Sequence, residues 1–193
     1  DRLGCTRDMA KVVNYSVNYG KTAKGLAAQL DTSVEAAEDL LEMYFEAYPA
    51  ITRWQIYCES YAIRNGYIRT LLGRYRYIPE IAEEYWRGSG YRKAINTPIQ
   101  GSAADLVTAA MLATNAHPSP RLQELGHWSQ ELHDLDCKLI MQVHDELIYE
   151  VPSENTEAAL PIVKRLMEQP LKKPLLVPTP VDIHSGQTWW EAK

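Results

Sequence analysis

The apolar positions of this chain change period along its length, and the changes divide it into elements. Met9, Val12, Val13 and Val17 recur at helical spacing and point mostly away from Arg7, Lys11, Tyr15 and Tyr19, which follow one another every four residues. This predicts a helix over residues 7–19, half buried on its valine side, with Gly20 as its C-cap. A short helix over 22–30 follows. Thr32 with Glu35 reads as a capping box for a third helix, which carries Val34, Ala37, Leu40, Leu41, Tyr44, Phe45 and Tyr48 on one face and stops at Pro49. Residues 51–65 predict a fourth, capped by Gly66.

Beyond Gly66 the period shortens. Residues 67–72 read as a strand turning at Gly73, and Gly88-Ser89-Gly90 reads as a loop or hinge. That loop places a boundary between two lobes, 1–90 and 91–193. Small residues through 96–113 predict a long, closely packed helix that Asn96 can cap. Residues 138–151 form two strand-like apolar runs around His144-Asp145-Glu146, the pattern of a hairpin tip. An amphipathic helix over 154–169 and a last strand, Val181-Asp182-Ile183-His184, complete the layer, with Trp189 and Trp190 packed onto it. The fold class is α+β, mostly helical, with an antiparallel hairpin carrying carboxylates.

Composition alters this picture in one respect. The 193-residue chain has a formal net charge of −5, which argues against a uniformly basic nucleic-acid binder. The charge is uneven, however. Residues 64–93 hold seven cations against three carboxylates, a net of +4, whereas residues 31–59 hold seven carboxylates against Arg53. The basic stretch suits a phosphate backbone. Cys5, Cys58 and Cys137 are odd in number and show no paired spacing, so they read as free thiols in a reducing, intracellular compartment. No apolar run is long enough to span a membrane. The chain does not start with methionine and reads as a piece of something longer.

Chemistry enters through two stretches. Arg7 and Lys11 offer two cations one helical turn apart, suited to a polyphosphate, and Tyr15 and Tyr19 offer rings beyond them for a sugar or base. On spacing alone an ordinary amphipathic helix explains the same residues. The second stretch shifts the balance, because adjacent Asp145 and Glu146 at a hairpin tip suit a hard divalent cation such as magnesium. Between them, Arg74, Tyr75, Arg76 and Tyr77 alternate cation and ring, either as a surface strand with satisfied charges or as a contact to a nucleic-acid strand. His117, His127, His133 and Cys137 match no standard zinc spacing, and residues 116–136 read as a surface insertion.

With these residues in view, the chain resembles family A DNA polymerases, the group of bacterial DNA polymerase I. Arg7, Lys11, Tyr15 and Tyr19-Gly20 resemble that family's fingers helix, and Gln142-Val143-His144-Asp145-Glu146 its palm carboxylate motif. Thr70-Leu71-Leu72-Gly73-Arg74 and the run from Asn96 to Asp105 resemble two further signatures in the same order. The texture of Asn14-Tyr15-Ser16 and Gly20-Lys21-Thr22-Ala23 looks most like the organellar branch of plants and protists, which implies a mitochondrial or other organellar location.

The resemblance implies a right-hand polymerase, with residues 1–90 in the fingers and 91–193 in part of the palm. It implies that Arg7 and Lys11 bind the triphosphate of a deoxynucleotide, with Lys11 also offsetting charge as pyrophosphate leaves. Tyr15 and Tyr19 would lie against the sugar, base and templating base. Asp145 and Glu146 would hold catalytic magnesium, two ions in the complete enzyme, while His144 meets the primer end. Arg74, Arg76, Asn96 and Gln100 would contact primer–template DNA, the last two in the minor groove. In the family, tyrosine at the place of Tyr15 goes with acceptance of dideoxynucleotides. One departure stands out. The family places a second metal-binding aspartate upstream of the fingers helix, and neither Asp1 nor Asp8 has that context. The expectation is therefore a portion inert alone that works with an upstream polymerase portion. A metal-dependent nuclease using Asp145 and Glu146, or a non-catalytic DNA-binding module, are the rival readings.

Overall fold

The computed structural model describes residues 6–117 and 119–192, with residue 18 described by its backbone alone. Asp1 and Cys5 lie outside the described residues. The chain divides into two compact units, Asp1–Ser102 and Ala103–Lys193.

In the first unit, α1 (Arg7–Asn18) starts at Thr6, whose hydroxyl accepts from the Met9 N–H at 3.3 Å. It ends in a Schellman motif: the Gly20 N–H donates to the Val17 carbonyl and the Lys21 N–H to the Ser16 carbonyl, with Gly20 at φ +61°. Helix α2 (Ala23–Leu30) is capped by Thr22. Helix α3 (Val34–Ala47) is capped by Ser33, whose hydroxyl accepts from the Ala36 N–H, and not by Thr32. The capping-box reading was one residue early, since serine serves as well as threonine and stands nearer the first turn. Pro49 both ends that helix and opens α4 (Pro49–Asn65), where a missing N–H costs nothing. Val13, Val17, Leu26, Ala37 and Tyr44 close one core among the first three helices. Each large aliphatic there contributes about 1.5–3 kcal/mol by burial.

A second core in this unit gathers Cys58 and Ala62 of α4, Ile68, Ile78 and Ile81, and Ala94 and Ile95. It joins α4 to a hairpin of β1 (Tyr67–Arg69) and β2 (Tyr75–Tyr77), shorter than the strand expected over 67–72. Gly88-Ser89-Gly90 is no hinge: all three lie within α5 (Arg87–Asn96). Gly90 is buried where a Cβ would sit 3.0 Å from the Ile81 backbone nitrogen, so this glycine serves close packing. The helical path continues from α5 through a π-helical turn, Thr97–Gly101, into α6 (Ser102–Ala113). Asn96 therefore does not cap a helix start; at φ −73° and ψ −36° it is within the helical path. Pro98 lacks an N–H and its ring crowds the carbonyl of the preceding turn, a conflict that a wider turn relieves.

In the second unit, α7 (Pro120–Glu124) and α8 (Gln130–Asp134) precede an antiparallel hairpin of β3 (Lys138–Val143) and β4 (Glu146–Glu150), followed by α9 (Thr156–Glu168). Leu132, Cys137, Ala159 and Val163 form its core. The expected surface character of residues 116–136 holds for exposed Arg121 and for Gln123 to Gly126, and fails for buried Ser129 and fully buried Leu132. Residues 181–184 form no strand. Pro178 and Pro180 precede them, and the Val181 N–H is taken by the Glu168 carboxylate at 3.1 Å. Trp190 is 85% exposed and packs onto nothing of the kind expected. Cys58 and Cys137 are free and buried. No helix among the described residues is long and apolar enough to cross a membrane.

Candidate functional site

The helical period of α1 delivers its four expected residues to one solvent-facing side. Arg7, Lys11, Tyr15 and Tyr19 are all exposed, while Val13, Ser16 and Val17 behind them are buried. The Lys11 ammonium lies 6.0 Å from the Tyr15 ring centre, within reach of a cation–π attraction. Tyr15 and Tyr19 stack with ring centres 6.5 Å apart and planes at 24°. The face is thus a strip, cationic at one end and aromatic at the other. Asn14, beside the strip, donates to the Ala10 carbonyl and accepts from the Tyr44 hydroxyl at 2.8 Å, which pins α1 to α3.

Gln100, from the π-helical turn, donates to the Tyr19 hydroxyl at 3.1 Å. The structure therefore brings together two expected site residues that stand far apart in the chain. Asn96, one turn before, is half buried. The hairpin is tied to the same turn. Arg74 donates to the Gly101 carbonyl at 3.0 Å and Arg76 to the Thr97 hydroxyl at 3.2 Å. The Leu71 N–H donates to the Ser102 hydroxyl at 2.7 Å, and that hydroxyl donates in turn to the Pro98 carbonyl. Ser102 had no part in the sequence-based site, because nothing in a lone serine signals that a distant loop will use it.

In the second unit, His144, Asp145 and Glu146 form the exposed tip between β3 and β4, where Val143 pairs with Glu146. His144 takes φ +55°, and its carbonyl accepts from the Gln142 side chain at 2.9 Å. Two adjacent, solvent-open carboxylates suit a hard cation that keeps several waters. Among the described residues no three His, Cys, Asp or Glu side chains gather as a metal-holding group. The same holds for His117, His127 and His133; the last instead contacts the Ala116 carbonyl through Nδ1 at 3.0 Å.

Comparison with known proteins now decides what kind of chain this is. The sequence model described as DNA polymerase family A matches residues 4–191. The chain belongs to DNA polymerase family A. DNA polymerase I of Bacillus caldotenax is 41% identical over 189 residues, covering 97% of this chain and 20% of that protein. DNA polymerase I B, chloroplastic/mitochondrial, of Arabidopsis thaliana is 40% identical over 195 residues, covering 100% of this chain and 18% of that protein. Bacterial and organellar relatives thus match at nearly the same level. The POL domain of Pol1 from M. smegmatis, solved in complex with DNA primer-template and dNTP, superposes with a TM-score of 0.80 at 33% identity. That match covers 96% of this chain and 31% of the solved one. The chain spans about a fifth of the length of these curated relatives.

Proposed function

We infer that this chain supplies the fingers helix and a carboxylate-bearing part of the palm of a template-directed DNA polymerase, which adds deoxynucleotides to a primer 3′ end. The observation that carries the reading is the exposed strip of α1: two cations, then two stacked rings, on one face in a family A chain. Arg7 and Lys11 bind the triphosphate oxygens with charge-assisted hydrogen bonds, and Lys11 offsets the charge that builds as pyrophosphate departs. Tyr15 lies against the sugar and base. Tyr19 and Gln100 stand at the templating position and the minor groove, with Asn96 nearby. His144 meets the primer end, and Arg74 and Arg76 hold the turn that carries Gln100 as well as facing DNA.

Asp145 and Glu146 are the residues that would hold magnesium. When bound, it supplies Lewis-acid activation and charge neutralisation for the phosphoryl transfer, two ions serving the complete enzyme. The second aspartate comes from an upstream polymerase portion with which the chain works. The Arabidopsis relatives support a location inside a DNA-bearing organelle.

The test is binding of a deoxynucleoside triphosphate to the chain and to Lys11→Ala. Loss of one charge-assisted contact weakens binding by about ten- to a hundredfold. Unchanged binding overturns the polymerase reading and favours a nuclease or a simple DNA-binding module, neither of which needs Lys11. Primer extension by the chain as it stands, with Asp145→Ala as control, tests the partnership. No extension is expected, and extension that Asp145→Ala abolishes overturns the need for an upstream carboxylate.

A further inference from the structure

The hairpin β1–β2 has two faces, and its register decides what each carries. Tyr67 pairs with Tyr77, Ile68 with Arg76 and Arg69 with Tyr75. Strand alternation therefore sets Ile68 and Arg76 on one face and Tyr67, Arg69, Tyr75 and Tyr77 on the other. On the first face Ile68 is buried in the core, and Arg76, itself exposed, is bonded to Thr97. The second turns outward, leaving Tyr75 48% and Tyr77 74% exposed.

The outward face continues onto α4 as a chain of rings. Tyr67 lies 4.8 Å from Tyr75 and 6.1 Å from Tyr77, centre to centre. Tyr61 lies 5.7 Å from Tyr67, and Tyr57, 57% exposed, lies 5.9 Å from Tyr61. The Arg69 guanidinium packs 4.3 Å from the Tyr75 ring centre and 5.5 Å from that of Tyr67, donating to both hydroxyls. This arrangement is aromatic and cationic at once. Its hairpin residues also fall in the net-basic stretch 64–93 of an acidic chain.

We propose that the outward face of this hairpin, extended by Tyr57 and Tyr61 of α4, is a stacking platform for single-stranded DNA. Bases offer flat faces to tyrosine and guanidinium planes only when unpaired, and a duplex hides them. Charge favours the same occupant, since Arg69 and the flanking Arg64 present cations to a phosphate backbone. The platform is tied through Arg74 and Arg76 to the turn that carries Gln100. Only the identification of the strand as the unpaired template rests on the polymerase reading. This platform adds to the nucleic-acid contact expected of residues 74–77: Tyr75 and Tyr77 present the stacking face, while Arg74 and Arg76 are tied to the turn and stay exposed.

The test is fluorescence anisotropy with labelled oligo-dT and a blunt duplex of the same length. It compares the chain with Tyr77→Ala and Tyr77→Phe, all checked for equal thermal midpoints. The unaltered chain is expected to prefer oligo-dT. Tyr77→Ala weakens oligo-dT binding by about tenfold, while Tyr77→Phe, which keeps the ring, retains it. Equal binding of oligo-dT by Tyr77→Ala, or no preference for oligo-dT over duplex in the unaltered chain, overturns the platform. Nucleotide binding, measured on the same protein, judges the polymerase reading separately. Loss of the oligo-dT preference with nucleotide binding intact removes the platform alone.

Discussion

Cys58 and Tyr149 each hold an ionisable group where water is scarce. Burial pushes the Cys58 thiol up to about 11, helped by the nearby Glu59 carboxylate. Burial likewise pushes Tyr149 up to about 12, against the opposing effect of its hydrogen bond to Thr114 at 2.8 Å. Both folded values exceed the ordinary ones of 9.0 and 10.0, so the folded state keeps protons that the unfolded chain releases. The Cys58 contribution to stability is whole below pH 9 and declines as pH rises towards 11, and that of Tyr149 is whole below pH 10 and declines towards 12. Urea midpoints should fall across that window, and the fall should be shallower in Cys58→Ala. A flat profile contradicts the assignment. These shifts could not be read from sequence, because they depend on what surrounds each group. The α1 strip could be read, because i, i+4 spacing alone puts Arg7, Lys11, Tyr15 and Tyr19 on one side once a helix is granted.

At the scale of elements, the least foreseeable feature is the passage from α5 to α6. Proline after Asn96-Thr97 ordinarily signals a break, and Gly88-Ser89-Gly90 ordinarily signals a hinge. Both signals were overridden by tertiary contacts: Gly90 against Ile81, and the π turn against the hairpin. Gly101 shows how tight that second contact is. A Cβ there would sit 2.8 Å from the Thr70 methyl group, and Thr70 cannot easily turn away because its hydroxyl accepts from the Arg74 N–H at 3.0 Å. Gly101→Ala gains helix propensity worth about 1 kcal/mol, yet overpacking costs about 1–3 kcal/mol. The clash should win, lowering the thermal midpoint by a few degrees. Gly25→Ala is the comparison. Its nearest neighbour, the Thr22 hydroxyl, would be 3.7 Å away, an ordinary contact, so propensity should raise the midpoint. If both substitutions stabilise, the hairpin is not held as closely as described. The carboxylate hairpin, by contrast, was legible, since two apolar runs around His144-Asp145-Glu146 leave little else for the chain to do.

Across the whole molecule, each core is assembled from residues of one unit, and the core of the second unit draws on a segment that looked expendable. Residues 116–136 are polar and rich in histidine and proline, which made a surface insertion the natural reading. Leu122, Leu125, Trp128, Leu132 and Leu135 do recur every three or four residues, a helical period that the polar composition outweighed. Leu132 nevertheless sits fully buried with Cys137, Ala159 and Val163, and the Ser129 hydroxyl caps its short helix. A similar lack of context misled the reading of residues 181–184, where Ile183 packs on this core without joining a strand. Leu132→Ala should therefore cost about 2–5 kcal/mol, the price of a cavity in a closed core. Leu125→Ala, in the same segment but 55% exposed, should stay within about 0.5 kcal/mol. Hydrogen exchange at the amides of β3, β4 and α9 reads the difference directly, since these elements surround the site. Faster exchange there in Leu132→Ala alone is the expected result. Equal and small effects of the two substitutions would return the segment to the surface and leave the core to Cys137, Ala159 and Val163.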